Sequence, residues 1–185
     1  MSSMPVMQEM LPQTIASGNG LFCRFLVGFN DGNRTTQAEG LPNHAAWTLG
    51  HCALVMHRIA ERIDGGPLPA SDFVVDDGRS GDAERFDTEG VFIESHPVDD
   101  DSMYPTWDRC LAIFDAAVQR LSRASAEASD ETLLSESPWF TTALPNWQLV
   151  ERAMFHNAVH NGQLIDLRRA LGLESVIVLP SSSSS

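Results

Sequence analysis

Residues 151–171 read ERAMFHNAVHNGQLIDLRRAL. The stretch has the periodicity of an amphipathic helix. His160, Leu164, Leu167 and Leu171 follow a 4-3-4 spacing, and Val150, Met154, Ala153 and Ala170 fill out the apolar side. His160 therefore lies on the inward stripe. His156 stands four residues before it. Four residues make just over one helical turn, so both imidazoles leave the same face, about 6 Å apart along the axis. One helix can in this way offer two ring nitrogens to one metal ion. An imidazole on a core-facing stripe needs a partner, because burying an unpaired polar group costs stability. That partner can be a metal or another side chain, and the pair alone leaves both open.

Working outward, the sequence predicts three more helices. The first spans about Met7–Asn30, with Leu11, Ile15, Gly18, Phe22, Phe25 and Phe29 at a 4-3-4-3-4 spacing, and stops at the turn residues 31–33. The second follows Leu41-Pro42-Asn43, where Asn43 is placed to act as N-cap, and runs to Gly65-Gly66-Pro67. In it Trp47, His51, Leu54 and Arg58 share one line, which puts His51 on a largely buried face. A lone histidine there is more often a core side chain bonded to a neighbouring helix than a ligand. His44 lies nearly on the same face, about 10 Å away, while His57 should point to solvent. The third helix is the most regular: Trp107, Leu111, Phe114, Val118 and Leu121 alternate at four and three residues behind Pro105. Ser135–Leu144 reads as a linker, Pro145-Asn146 opens the last helix and Gly172 closes it.

Between the second and third helices, residues 65–102 form a long connection, and a loop of that length in a compact domain usually has its own structure or function. It is acidic: residues 64–101 hold nine Asp and three Glu, the composition of a solvated loop. Phe73–Val75 and Val91–Ile93 are its apolar patches, expected to form a short ribbon or a lid. Four amphipathic helices with few strand signals predict an all-α fold, a four-helix bundle with a long crossover between helices 2 and 3. A single domain is expected over residues 1–175, with a Ser-rich, disordered tail at 176–185.

Composition bounds the function. The 185 residues are 43% hydrophobic, enough for one substantial core. The 12 basic residues, all arginine, face 25 acidic ones for a formal charge of −13. So acidic a chain argues against nucleic acid and against an anionic membrane surface as partner. No apolar run is long enough to span a bilayer. Cys23, Cys52 and Cys110 are odd in number and without a CxxC, so they read as free thiols in a reducing compartment. With no signal-peptide pattern at the N-terminus, the expected location is cytoplasmic.

Three blocks together resemble a known family: WTLGH at residues 47–51, Tyr104-Pro105, and HNAVHNGQLIDLRRALG at residues 156–172. They are similar to the DinB/YfiT-like superfamily, and the likeness runs from the first helix to about Gly172. It implies a four-helix bundle that binds a divalent metal through one histidine of the second helix and two of the fourth. Carried onto this chain, those ligands are His51, His156 and His160. It also implies, less specifically, a reaction that uses a low-molecular-weight thiol, and a homodimer.

The chemistry of the residues agrees. Three neutral imidazoles suit Zn, Ni or Fe, and a site with three protein ligands leaves positions open for water or substrate. His44, Trp47, Asn43, Asn157 and Gln163 are candidates to support the ligands or line a pocket, to which Trp107 and Trp147 could contribute. The leading expectation is a metal-dependent enzyme, of transferase or isomerase type, in which a small thiol attacks a small electrophile. The alternatives are a metal-dependent hydrolase and a non-catalytic metal-binding or interaction bundle.

Overall fold

The structure, a computed structural model, describes residues 7–75 and 81–177. The all-α expectation holds. Helices α1 (Met7–Arg24), α2 (Ala45–Asp64), α3 (Trp107–Glu127) and α5 (Asn146–Ala170) carry the core, and α4 (Asp130–Leu134) is a single short turn of helix. Strand is confined to two small pairs. Strands β1 (Phe73–Val74) and β2 (Phe86–Asp87) pair in parallel, and β3 (Glu136–Trp139) and β4 (Thr142–Pro145) form an antiparallel hairpin. Helix α2 packs on α3 and α5, and α1 packs on the same two. No described helix is long and apolar enough to cross a membrane.

Several boundaries differ from the sequence reading, each for a local reason. Helix α1 ends at Arg24, short of Asn30, although Phe25 and Phe29 are still buried. Beyond it the backbone runs in tight turns, such as Phe25 N–H to the Phe22 carbonyl. The buried Arg168 guanidinium of α5 donates to the carbonyls of Phe25 and Val27, taking acceptors a continuing helix would use. The N-cap of α2 is His44 and not Asn43: the His44 Nδ1 accepts from Trp47 N–H at 3.1 Å. An unprotonated imidazole nitrogen does there what an Asn oxygen does at most N-caps.

His57 is buried, 1% exposed, and does not face solvent. Connection residues cover the side of α2 that would otherwise be wet: Phe73 packs edge-on to the His57 ring at 5.7 Å, and Asp72 Oδ2 is 3.9 Å from its Nε2. Within that connection Phe73 pairs with Phe86, so the ribbon forms with β2 and not with Val91–Ile93. The linker at 135–144 is the β3–β4 hairpin, with Trp139 opposite Thr142 and Phe140 in the turn. Helix α5 starts at Asn146 as expected, and Gly172 follows its end in the left-handed region (φ 69°). The serine run of the tail lies outside the described residues.

Arginine does much of the joining. Arg120 of α3 forks onto Asp64 at 2.8 and 2.9 Å and also donates to the carbonyls of Gly66 and Pro67, fixing the exit from α2. Arg34 donates to the carbonyls of Asp31, Asp101 and Pro105, tying the α1–α2 connection to the entry of α3. A planar fork with five donors can serve several carbonyls at once, which lysine cannot do in that geometry.

Candidate metal centre

His51 leaves α2 and His156 and His160 leave α5, and the packing of these two helices brings the three rings together. His51 Nε2 lies 3.0 Å from His156 Nε2, which lies 3.2 Å from His160 Nε2. Among the described residues these three side chains make the group able to hold a metal ion; no Cys, Asp or Glu joins them. Cys52, next to His51 in sequence, is fully buried, and burial pushes its thiol far above the ordinary value, so it stays protonated.

The WTLGH block explains how α2 presents His51. Trp47, one turn earlier, stacks on the His51 ring at 4.5 Å and 13°, and also contacts the His160 ring at 5.9 Å. Trp47 is fixed in turn by its indole N–H, which donates to Ser95 Oγ at 2.9 Å. Gly50 lets the connection come close. A Cβ there would sit 2.7 Å from the Phe86 ring and 2.9 Å from Val91. That approach puts the Val91 carbonyl where His51 Nδ1–H donates to it at 2.8 Å.

Gln163 does for His160 what Val91 does for His51. Its Oε1 accepts from His160 Nδ1–H at 2.8 Å and from Asn43 Nδ2 at 2.9 Å. Both rings thus carry their proton on Nδ1, and both aim an Nε2 lone pair at His156 Nε2. That atom holds one proton at most, so no more than one proton lies among the three Nε2 atoms. A divalent cation suits this donor set. Nitrogens about 2.0–2.1 Å from a tetrahedral ion stand about 3.3 Å apart, close to the spacings seen.

Burial keeps the rings neutral. It holds His51 down to about 4, with the His156 ring adding to the effect. It holds His160 down to about 3, with His156 and His51 adding to it, and it lowers His156 as well. Neutral imidazole is the form that binds metal. At neutral pH no imidazolium has to be neutralised before an ion can bind.

Of the other residues singled out in the sequence, Trp47 and Gln163 touch the cluster directly. His44 does not: it caps α2 under Trp47, and its ring meets Tyr104 edge-on at 4.6 Å. Asn157 turns its amide to Met56 Sδ. Trp107 pairs with Phe29 in the core, and Trp147 packs against the core as well. A second tryptophan on the side of the site is Trp139, on the hairpin. With His51, His156, Phe92 and Phe140 it lines a cleft of about 980 Å³. The sequence reading missed the Val91 carbonyl, because backbone acceptors leave no residue signature, and it missed Trp139 and Phe140, because the hairpin was read as a linker.

The family model of the DinB superfamily matches residues 21–164. No curated protein matches the chain. Among solved structures, that of a conserved protein from Enterococcus faecalis superposes with a TM-score of 0.66 at 15% identity, covering 92% of this chain and 99% of the other. At that identity the likeness speaks for the fold alone. The matched residues include His51, His156, His160 and Gln163, all of α2 and most of α5, and on that match the chain belongs to the DinB superfamily.

Proposed function

We propose that this protein is a divalent-metal-dependent enzyme that joins a low-molecular-weight thiol to a small electrophile, as a transferase or isomerase, on a four-helix bundle whose crossover is the 65–106 connection. The observation that carries the reading is the convergence of three Nε2 atoms with at most one proton among them. His51, His156 and His160 would hold the ion. Bound there by three neutral ligands, Zn, Ni or Fe would supply a Lewis acid with open positions and uncompensated positive charge, suited to an anion such as a thiolate or hydroxide.

The chain's own residues do the rest. Val91 and Gln163 fix two of the rings, and Trp47 holds His51 flat against the α2 side. The cleft meets His51 and His156, giving a substrate a route to the cluster, whereas a structural ion is normally closed off by a fourth protein ligand. The attacking sulfur would come from outside, since no cysteine lines the cleft and Cys52 and Cys110 are buried with thiols pushed well up by burial. The hydrolase alternative differs only in using water in place of the thiol. Cytoplasmic location, a small-molecule substrate and a homodimer belong to the same proposal.

Metal analysis tests it. Protein purified without a histidine tag should carry about one divalent ion per chain, and His51→Ala and His160→Ala should each lose it. Activated esters and epoxides offered with and without added thiol then separate thiol transfer from hydrolysis. Metal-free protein with no affinity for Zn or Ni would end the proposal.

A further inference from the structure

Large apolar side chains exposed on this protein are not scattered. Val75, Phe92, Ile93, Phe140, Phe155 and Val159 are half of the twelve such residues among those described, and all six line the cleft that opens on His51 and His156. Single exposed apolar residues are ordinary on a soluble surface, whereas a contiguous set around a concavity marks a binding site. Phe140 stands 71% exposed in the two-residue turn of the β3–β4 hairpin, where the turn itself calls for its positive φ (51°), and its ring forms part of the wall of the cleft.

The charge of the cleft runs against that of the chain. Overall the formal charge is −13, yet Arg58, Arg62 and Arg152 line the cleft against Glu89 and Glu151. Two of the three arginines are engaged. Arg58 pairs with Glu61 at 3.1 Å, and Arg62 donates to the Pro138 carbonyl and lies over the Trp139 ring. Arg152 is exposed and, among the described residues, has no hydrogen bond or ion pair. It sits one turn before His156 on α5 and lines the same cleft.

We infer that the cleft binds a small amphiphilic acid, its apolar body against Phe92, Ile93, Phe140 and Phe155 and its carboxylate, or a similar anionic group, held by the Arg152 guanidinium. This deepens the proposed function by naming the chemical class of the electrophile, and it rests on that reading only for where the reacting end would lie.

Octanoate, 1-octanol and octylamine share a chain and differ in head group, so calorimetric titration of each compares charge at constant apolar area. Both chelator-stripped and zinc-loaded protein are titrated, and zinc content is measured in the same samples. Octanoate should bind at least about tenfold tighter than octanol, octylamine weakest, in both forms. Arg152→Ala should bring octanoate to the octanol level, and Phe155→Ser should weaken both. Both side chains are exposed, so the variants should fold, and urea midpoints check that they do. The inference is overturned if octanol matches octanoate, if Arg152→Ala leaves octanoate binding intact, or if the acid is preferred only when zinc is loaded. Should zinc fail to bind while the preference still depends on Arg152, the metal reading falls and this one stands.

Discussion

Gln163 accepts two hydrogen bonds on a single oxygen, one from His160 Nδ1 and one from Asn43 Nδ2. It thereby fixes which nitrogen of His160 carries the proton and ties the start of α2 to α5. Gln163→Leu removes the acceptor at nearly constant volume. Zinc affinity should drop about 10–100-fold, as is usual when a partner behind a metal-binding histidine is lost, whereas Gln163→Glu should keep it. Competition with a chromogenic chelator reads both. An unchanged affinity in the Leu variant would mean that packing on Trp47, and not the hydrogen bond, orients the ring. The sequence pointed to Gln163 by its place three residues after His160, but its second bond, to Asn43, joins residues 120 apart and had no local signal.

Two elements are held in place by close approach and by arginine, and each makes a prediction. Gly50 sits where α2 meets β2 and the Glu89–Val91 turn, with Phe86 ring carbons 2.7 Å from any added Cβ. Gly50→Ala should cost about 1–3 kcal/mol through overpacking. It should also weaken zinc binding, because Phe86 and Val91 must move and the Val91 carbonyl orients His51. Urea unfolding and chelator competition on the same variant check both parts; a loss of stability with intact affinity would separate the turn from the site. Arg120 is the corresponding tie at the other end of α2. Removing it in Arg120→Ala unpairs Asp64 and the carbonyls of Gly66 and Pro67, worth about 2–3 kcal/mol after allowing for the partly exposed carboxylate. Arg120→Lys should recover less than half of it, since lysine keeps the charge but not the fork.

At the scale of the whole molecule, the buried histidines set the acid limit of stability. Burial pushes His44 and His57 down to about 4 each, and neither is more than 1% exposed. The unfolded chain takes up protons on these rings near pH 6.5. Between about 6.5 and 4 the unfolded state therefore binds more protons, and stability falls as the pH falls. The loss begins near pH 6.5 and is complete near 4, with about 1–2 kcal/mol per ring already gone at pH 5. Below that, Asp64, whose carboxyl Arg120 holds under the usual range, adds to the loss once it is protonated. Urea midpoints in chelator at pH 7.5, 6 and 5 should decline in order, and His57→Gln should make the decline shallower. Midpoints that stay level or rise toward acid would show that these rings are already protonated in the folded chain.

The sequence by itself determined the all-α class, the positions of the long helices and the inward placement of His51, His156 and His160, because helical periodicity is a local property that each segment carries alone. It also carried the family, since Trp47, Gly50 and His51 lie within one short block and His156, His160 and Gln163 within another. Only the tertiary structure decided where α1 stops, what caps α2, why His57 is dry and what lines the cleft. Those outcomes depend on chain segments far apart in sequence, such as Arg168 on the Phe25 carbonyl and Val91 on His51. Hydrogen bonds to backbone carbonyls and coverage by the connection between α2 and α3 follow from where the chain goes, which no pattern within a single helix records.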